Sequence, residues 1–316
     1  MRYKATIPEK YLWTLEIDFV DDFKSIAYCE VQKRGLTPTS LDEAPLELFK
    51  ILRHTILPRP RSVLKSKSFV CPTGYETALQ NFENRITNGD DLSIFLTDKY
   101  DESPDYNDLL LNDWDIYHFH LTNRFNTATG KALRNRWLIM AMIKENAVYL
   151  IKVVDHNDPD CFNDIELLEI VHDNWPRILE KNVIRGIPNE VLSNKDVLDL
   201  RKAHINGTIV LKDGTPLQSP GGGYSLDGGS ATASLYSIQL NHKLQSWEKS
   251  IVDNMIAIIE SYMKSFDDVL KLNMRMVLTS ITIDNFICKE LNNGFYLIYS
   301  NGSLSILNIS RRTRYA

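Results

Sequence analysis

The sequence predicts an α+β fold: an antiparallel sheet with flanking helices, followed by a C-terminal helix-and-strand region. Three observations carry this. Two β-rich runs, Trp137–Ile143 and Val148–Val154, are separated only by Lys144-Glu145-Asn146-Ala147, which makes a hairpin. Stretches with apolar residues at the helical period lie on both sides of it. Residues 276–309 alternate in strand-like runs around Asn292-Asn293-Gly294, a hairpin-turn signal.

Taken in chain order, Tyr11–Ile17 reads as a strand. In 41–52, Leu46, Leu48, Phe49 and Leu52 recur at helical spacing behind Ser40 or Asp42 as N-cap. Pro58-Arg59-Pro60-Arg61 ends that helix. Residues 76–86 are again helical, and Tyr117–Thr122 is a strand. The hairpin follows, then a helix over 165–172 with Pro176 beyond its end. A looser passage, Arg185-Gly186-Ile187-Pro188-Asn189, sets a boundary between a domain at 1–185 and a regulatory or assembly region at 186–316. The second part opens with a short helix (196–204) and a strand (207–211). A loop holding six of the chain's 14 glycines comes next, and then a long helical pattern over 240–272.

Composition narrows the function. With 316 residues and 43% hydrophobic content the chain can bury a substantial core, which excludes a disordered or fibrous protein. A formal net charge of −5 excludes a globally basic nucleic-acid coat protein. The four cysteines form no C-x-x-C pair and no disulfide framework, so they read as thiols of a reducing compartment. The longest apolar runs are far shorter than the roughly 20 residues of a membrane span. With no targeting segment visible in the sequence either, the expectation is a cytoplasmic protein without a membrane contact.

The average charge hides segregation. Residues 53–75 and 122–152 are basic, the latter with six basic residues against Glu145 alone. Residues 98–115 carry seven acidic residues against Lys99, a run expected to be a solvated loop or an internal shield of the basic face. Four of the seven histidines fall within 118–172. On a strand, His118 and His120 project from the same face, because side chains alternate with period two. Tyr117, Phe119 and Leu121 then face a core. His156 lies just past the second hairpin strand, where the ends of the hairpin can bring it to the pair. His172 closes a helix, where its charge suits the helix dipole.

Arg134 and Arg136 share the i, i+2 relation as they enter the hairpin. Imidazoles for proton transfer beside guanidinium for phosphate are the equipment of metal-free RNA cleavage. The candidate catalytic residues are therefore His118, His120 and His156, with Arg134 and Arg136 for phosphate, in a module at about 105–185.

The pattern Tyr117-His118-Phe119-His120-Leu121, then Arg134-Asn135-Arg136-Trp137-Leu138-Ile139-Met140, then Val148-Tyr149-Leu150-Ile151-Lys152-Val153, resembles the sheet of the RelE-like ribonuclease toxins of the barnase–RelE group. The resemblance spans about residues 113–160. It implies metal-independent endoribonuclease activity with no cofactor, RNA as partner, and a role as toxin or phage-defence effector. The chain departs from the family in its length, its acidity and its Asp155-His156 strand end.

Two other readings remain open. The His118/His120 pair, with His156 and Asp155, could hold a divalent ion and activate water. Alternatively the protein binds or assembles without chemistry. In that case Gly221-Gly222-Gly223 contacts a phosphate or a partner protein, or is simply a flexible surface loop. The stripe Trp247, Ile251, Met255, Ile258, Tyr262 would pair two copies through a helix at 241–271, or bury against its own chain.

Overall fold

The computed structural model describes residues 12–186, 191–255, 257, 271–282, 284–292, 295–300 and 303–308. Its elements begin with β1 (Leu12–Ile17), α1 (Phe19–Lys33), α2 (Ala44–His54), β2 (Ser62–Lys65) and α3 (Glu76–Asn88). Then come α4 (Lys99–Glu102), α5 (Leu109–Trp114), β3 (Tyr117–His120), β4 (Trp137–Ile143), β5 (Ala147–Asp155) and α6 (Glu166–Asn174). The chain continues through α7 (Asn194–Lys202), β6 (Ile209–Val210), β7 (Pro216–Leu217) and α8 (Ala231–Asp253). It closes with β8 (Lys271–Ile281), β9 (Phe286–Glu290), β10 (Phe295–Ser300) and β11 (Ser303–Asn308). The fold is α+β, and no helix among the described residues is long and apolar enough to cross a membrane.

The chain divides into two compact units, one of residues 31–38 and 46–236, the other of 1–30, 39–45 and 237–316. This corrects the expected boundary at 185/186. Val183 bridges Leu217, and the Ile184 N–H donates to Pro216 O at 3.0 Å, so the segment before the boundary is stitched to the one after it. The N-terminus joins the C-terminal unit because β1 pairs in parallel with β8. No local sequence pattern reports a pairing across that distance.

In the larger unit the sheet order is β2-β5-β4-β3. Its strands are antiparallel except that β2 runs parallel to β5. The pleat sorts side chains to two cores. Ile139 and Ala141 of β4 pack with Phe82, Ile86, Phe95 and Phe119 on one face. Leu138, Met140 and Met142 pack with Trp114, Leu167, Leu168 and Val171 on the other. A sheet buried on both faces explains why β4 reads as one continuous apolar run.

The acidic run is solvated only in its first half, where Asp98, Asp101, Glu102 and Asp105 are exposed. Asp108 and Asp113 are buried, the first as the N-cap of α5 and the second inside that helix. Asp113 accepts from Arg201 Nε at 2.9 Å and from Ser219 Oγ at 2.6 Å. Arg201 lies against the Trp114 ring, 4.1 Å from its centroid. Other members of the run neutralise basic groups: Asp115 pairs with Arg53 and Lys144, Asp105 with Lys50, and Asp98 and Asp101 with Lys131.

The glycine-rich segment is clamped to α5. Gly221 N–H donates to Asp113 O at 2.8 Å, Gly222 N–H to Ser219 O at 3.0 Å and Gly223 N–H to Asn112 O at 2.9 Å. These amides are satisfied within the protein, which corrects the expectation that Gly221, Gly222 and Gly223 present a phosphate or partner loop. A Cβ at Gly221 would stand 2.4 Å from the backbone oxygens of Leu111 and Asn112, so glycine is required for close approach.

The smaller unit is built on a sheet of order β1-β8-β9-β10-β11. β9 and β10 pair antiparallel around the expected turn, whose Asn293 and Gly294 lie outside the described residues. Phe286 meets Phe19 at 5.4 Å, Trp247 at 4.7 Å and Tyr299 at 5.3 Å between ring centroids. Trp247, Ile251 and Met255 are buried, Trp247 against Phe286 and Tyr299. That stretch of the 241–271 stripe is therefore covered without a second copy, while Ile258 and Tyr262 lie outside the described residues.

The clamp gives a direct stability test. Gly221→Ala should lower the stability of the larger unit by about 1–3 kcal/mol, the usual size of an overpacking defect. Denaturant unfolding followed by fluorescence measures it. An unchanged midpoint would mean that the loop is not packed on α5.

Candidate functional site

The site forms at one end of the larger unit's sheet, where β3 ends, β4 begins and β5 ends. His120 is registered with Leu138 and His118 with Met140. Trp137 is opposite Asp155, and the His156 N–H donates to Arg136 O at 2.7 Å. The loop between β3 and β4 is fixed by Asn135, whose Nδ2 donates to Leu121 O and whose Oδ1 accepts from Arg136 N at 2.7 Å. The hairpin read from the sequence thus brings three distant segments to one place.

A cleft of about 840 Å³ opens there, lined by His118, His120, His156, Arg134 and Arg136 together with Lys99, Tyr106, Asp108, Phe162 and Arg201. All five residues singled out for catalysis and phosphate binding line this one cavity. Phe162 is edge-on to His118 at 5.2 Å and to His156 at 5.9 Å between ring centroids. His172 is elsewhere, with Nε2 2.9 Å from Asp213 Oδ2.

The three imidazoles sit in different surroundings. His120 is 7% exposed. Burial, then the neighbouring His118, His156 and Arg134, push its pKa down to about 4. Its Nδ1 is buried without a hydrogen-bond partner. His118 Nδ1 lies 3.4 Å from Asp108 Oδ2, within ion-pair reach but not hydrogen-bonded. Asp108 is itself held from both sides. Its Oδ1 accepts the Leu111 N–H at 2.9 Å as the N-cap of α5, and its Oδ2 accepts the Tyr100 hydroxyl at 2.5 Å. Tyr100 stacks on His54 at 4.0 Å, and burial pushes the His54 pKa down to about 4.

The two arginines differ. Arg136 donates to Asp155 Oδ2 through Nε at 2.7 Å, with Nη2 2.6 Å from the same oxygen, and lies over the Trp137 ring. Its guanidinium is already engaged, which corrects the expectation that both arginines are equally available to phosphate. Arg134 is exposed and has no ion-pair partner among the described residues. Lys99 also reaches the cleft, its Nζ 5.8 Å from the Tyr106 ring centroid.

Among the described residues no group of three or more His, Cys, Asp or Glu side chains is disposed to hold a metal ion. Asp155, considered from the sequence as a ligand together with His118, His120 and His156, is taken up by Arg136 and by the Asn157 N–H at 2.9 Å.

Sequence reasoning missed Asp108, Tyr100, Lys99 and Arg201. Asp108 had a usable signal: it stands directly before the apolar run Leu109-Leu110-Leu111, the position of an N-cap. Arg201 had none, because its contacts to Asp113 and Trp114 are made far along the chain.

Compared with known protein families, curated proteins and solved structures, the chain matches none.

Two buried histidines make stability pH-dependent. His54 and His120 have folded-state pKa values of about 4, below the ordinary 6.5. Between those values the unfolded chain binds protons that the folded chain does not. Their contribution is therefore intact above pH 6.5 and is lost as pH falls toward 4, by up to about 3 kcal/mol for each group. Asp22, raised to about 6 by burial in the other unit, acts in the opposite sense. The expected outcome is that His120→Asn flattens the fall in Tm between pH 6.5 and 4 relative to wild type. Parallel curves would contradict burial of the imidazole.

Proposed function

We propose that the cleft cleaves RNA by metal-independent transesterification. The observation that supports this most is the convergence of His118, His120, His156 and the unpaired Arg134 on one cavity. Cleavage of a phosphodiester next to a 2′-hydroxyl needs a base for that proton, an acid for the leaving 5′-oxygen, and positive charge at phosphorus.

His120 is neutral at physiological pH and is the group in the form to accept the 2′-hydroxyl proton. The 2′-oxygen then attacks phosphorus as the bond to the 5′-oxygen breaks. His118, with the Asp108 carboxylate 3.4 Å behind its Nδ1, is the group we assign to supply the proton to the departing oxygen. The products are a 2′,3′-cyclic phosphate and a 5′-hydroxyl. His156 lines the same cleft and is the third imidazole we assign to the proton transfers. Arg134 takes the non-bridging oxygens as a charge-assisted donor. Arg136 acts through Asp155, holding the hairpin end that carries His156.

In the cell this activity would arrest growth, as a toxin or phage-defence effector does. The test is cleavage of a labelled RNA with EDTA present. Wild type should cut under these conditions, and His120→Ala and Arg134→Ala should each lose about 10²-fold or more in kcat/KM. The acid limb of the pH–rate profile should fall near pH 4, following His120. Cutting only with added divalent metal would favour a metallohydrolase. Intact RNA under both conditions, with no growth difference between wild type and His120→Ala, would favour a binding protein.

A further inference from the structure

A second hollow, of about 350 Å³, adjoins the cleft and shares one wall with it: Arg134 lines both. The hollow is also lined by Arg124, Lys131 and Asp98. Arg124 is exposed and, like Arg134, has no ion-pair partner among the described residues. Lys131 is held by Asp98 and Asp101. Two guanidiniums without an ion-pair partner among the described residues therefore line the hollow, Arg134 shared with the cleft and Arg124 in the hollow alone.

We infer that this hollow is a flanking-phosphate subsite, and that the substrate is a single polynucleotide strand rather than a mononucleotide or a cyclic nucleotide. The inference rests on the cleft being a phosphodiester site. A strand with its reacting phosphate at the histidines carries its next phosphate one nucleotide away, and the hollow beside Arg134 offers Arg124 to meet it. Arg124 is well suited to the task because guanidinium pairs with phosphate oxygens in a fork and stays charged at all working pH. The backbone between the two arginines is held by Leu133 N–H to Arg124 O at 2.8 Å. Asp98 and Asp101 set the strength of the subsite by occupying Lys131. At this hollow the shielding expected of the acidic run is carried by these two residues, while Asp108 is buried and Asp105 pairs with Lys50.

The test uses the full chain and two probes. Binding of an uncleavable 2′-O-methyl twelve-nucleotide strand is followed by fluorescence anisotropy at several salt concentrations, and turnover of a dinucleoside monophosphate is measured separately. Arg124→Ala should weaken binding of the longer strand by about three- to tenfold and reduce the salt slope by about 0.7, the value of one single-strand phosphate contact. Asp101→Asn should strengthen that binding. Turnover of the dinucleotide, which has no flanking phosphate, should be unchanged in both variants. Equal strand affinity and salt slope in wild type and Arg124→Ala would overturn the subsite, as would an equal loss on the dinucleotide. The anisotropy reads binding without chemistry. A chain that binds the strand through Arg124 yet cuts no RNA would therefore overturn the nuclease reading and leave the subsite standing.

Discussion

The pleat of β3 turns alternate side chains to opposite faces of a sheet that is buried on both. Phe119 has no solvent exposure and belongs to the core with Phe82 and Phe95. His118 and His120 must then emerge together on the other face, beside Leu138 and Met140. A one-residue slip in register would place both imidazoles in an aromatic core and turn Tyr117 and Phe119 to the cleft face. Burial of Phe119 and placement of the histidines are therefore the same event. The remaining elements of the larger unit complete a cavity around that fixed point.

The second constraint is the fastening of α5. This helix is six residues long and could not stand alone in water. Its N-terminus is capped by Asp108, and the carbonyls near its C-terminus receive Gly221 and Gly223. Asp113, inside the helix, is neutralised by Arg201. A buried aspartate without that partner would be costly, so the pair is best understood as a requirement of burial rather than a source of stability. The consequence for chemistry is that Asp108 cannot wander from His118. A carboxylate held from both sides, by the Leu111 N–H and by Tyr100, is a fixed electrostatic support, the kind of preorganisation that charge-developing steps use.

What could be read from the sequence was what repeats locally. The hairpin of β4 and β5, the helix α6, the strand β3 and the i, i+2 histidines all follow from periodicity and turn chemistry. The convergence of His156 with His118 and His120 followed from where the hairpin strands end. What could not be read is what depends on pairing at a distance. β1 joins β8 across most of the chain. The glycine segment looked like a loop because its glycines serve close approach to α5, and a run of glycines gives the same signal for approach as for freedom. The acidic run looked solvated because its partners Arg53, Lys50, Lys144 and Arg201 are scattered along the chain. Arg136 looked equivalent to Arg134 because only the fold reveals Asp155 beside it.

Those pairings also resolve the charge balance. The net charge of −5 averages over many ion pairs, and at or beside the cleft stand three exposed basic groups with no ion-pair partner among the described residues: Arg134, Arg124 and Lys99. An acidic protein can therefore present a phosphate-binding face. The most direct measurement of this account is an imidazole nitrogen NMR titration with an uncleavable 2′-deoxy dinucleoside monophosphate. The account predicts that the resonances of His118, His120 and His156 shift together on binding while those of His172, His204 and His242 stay in place. Shifts absent from the first three, or confined to the others, would contradict it.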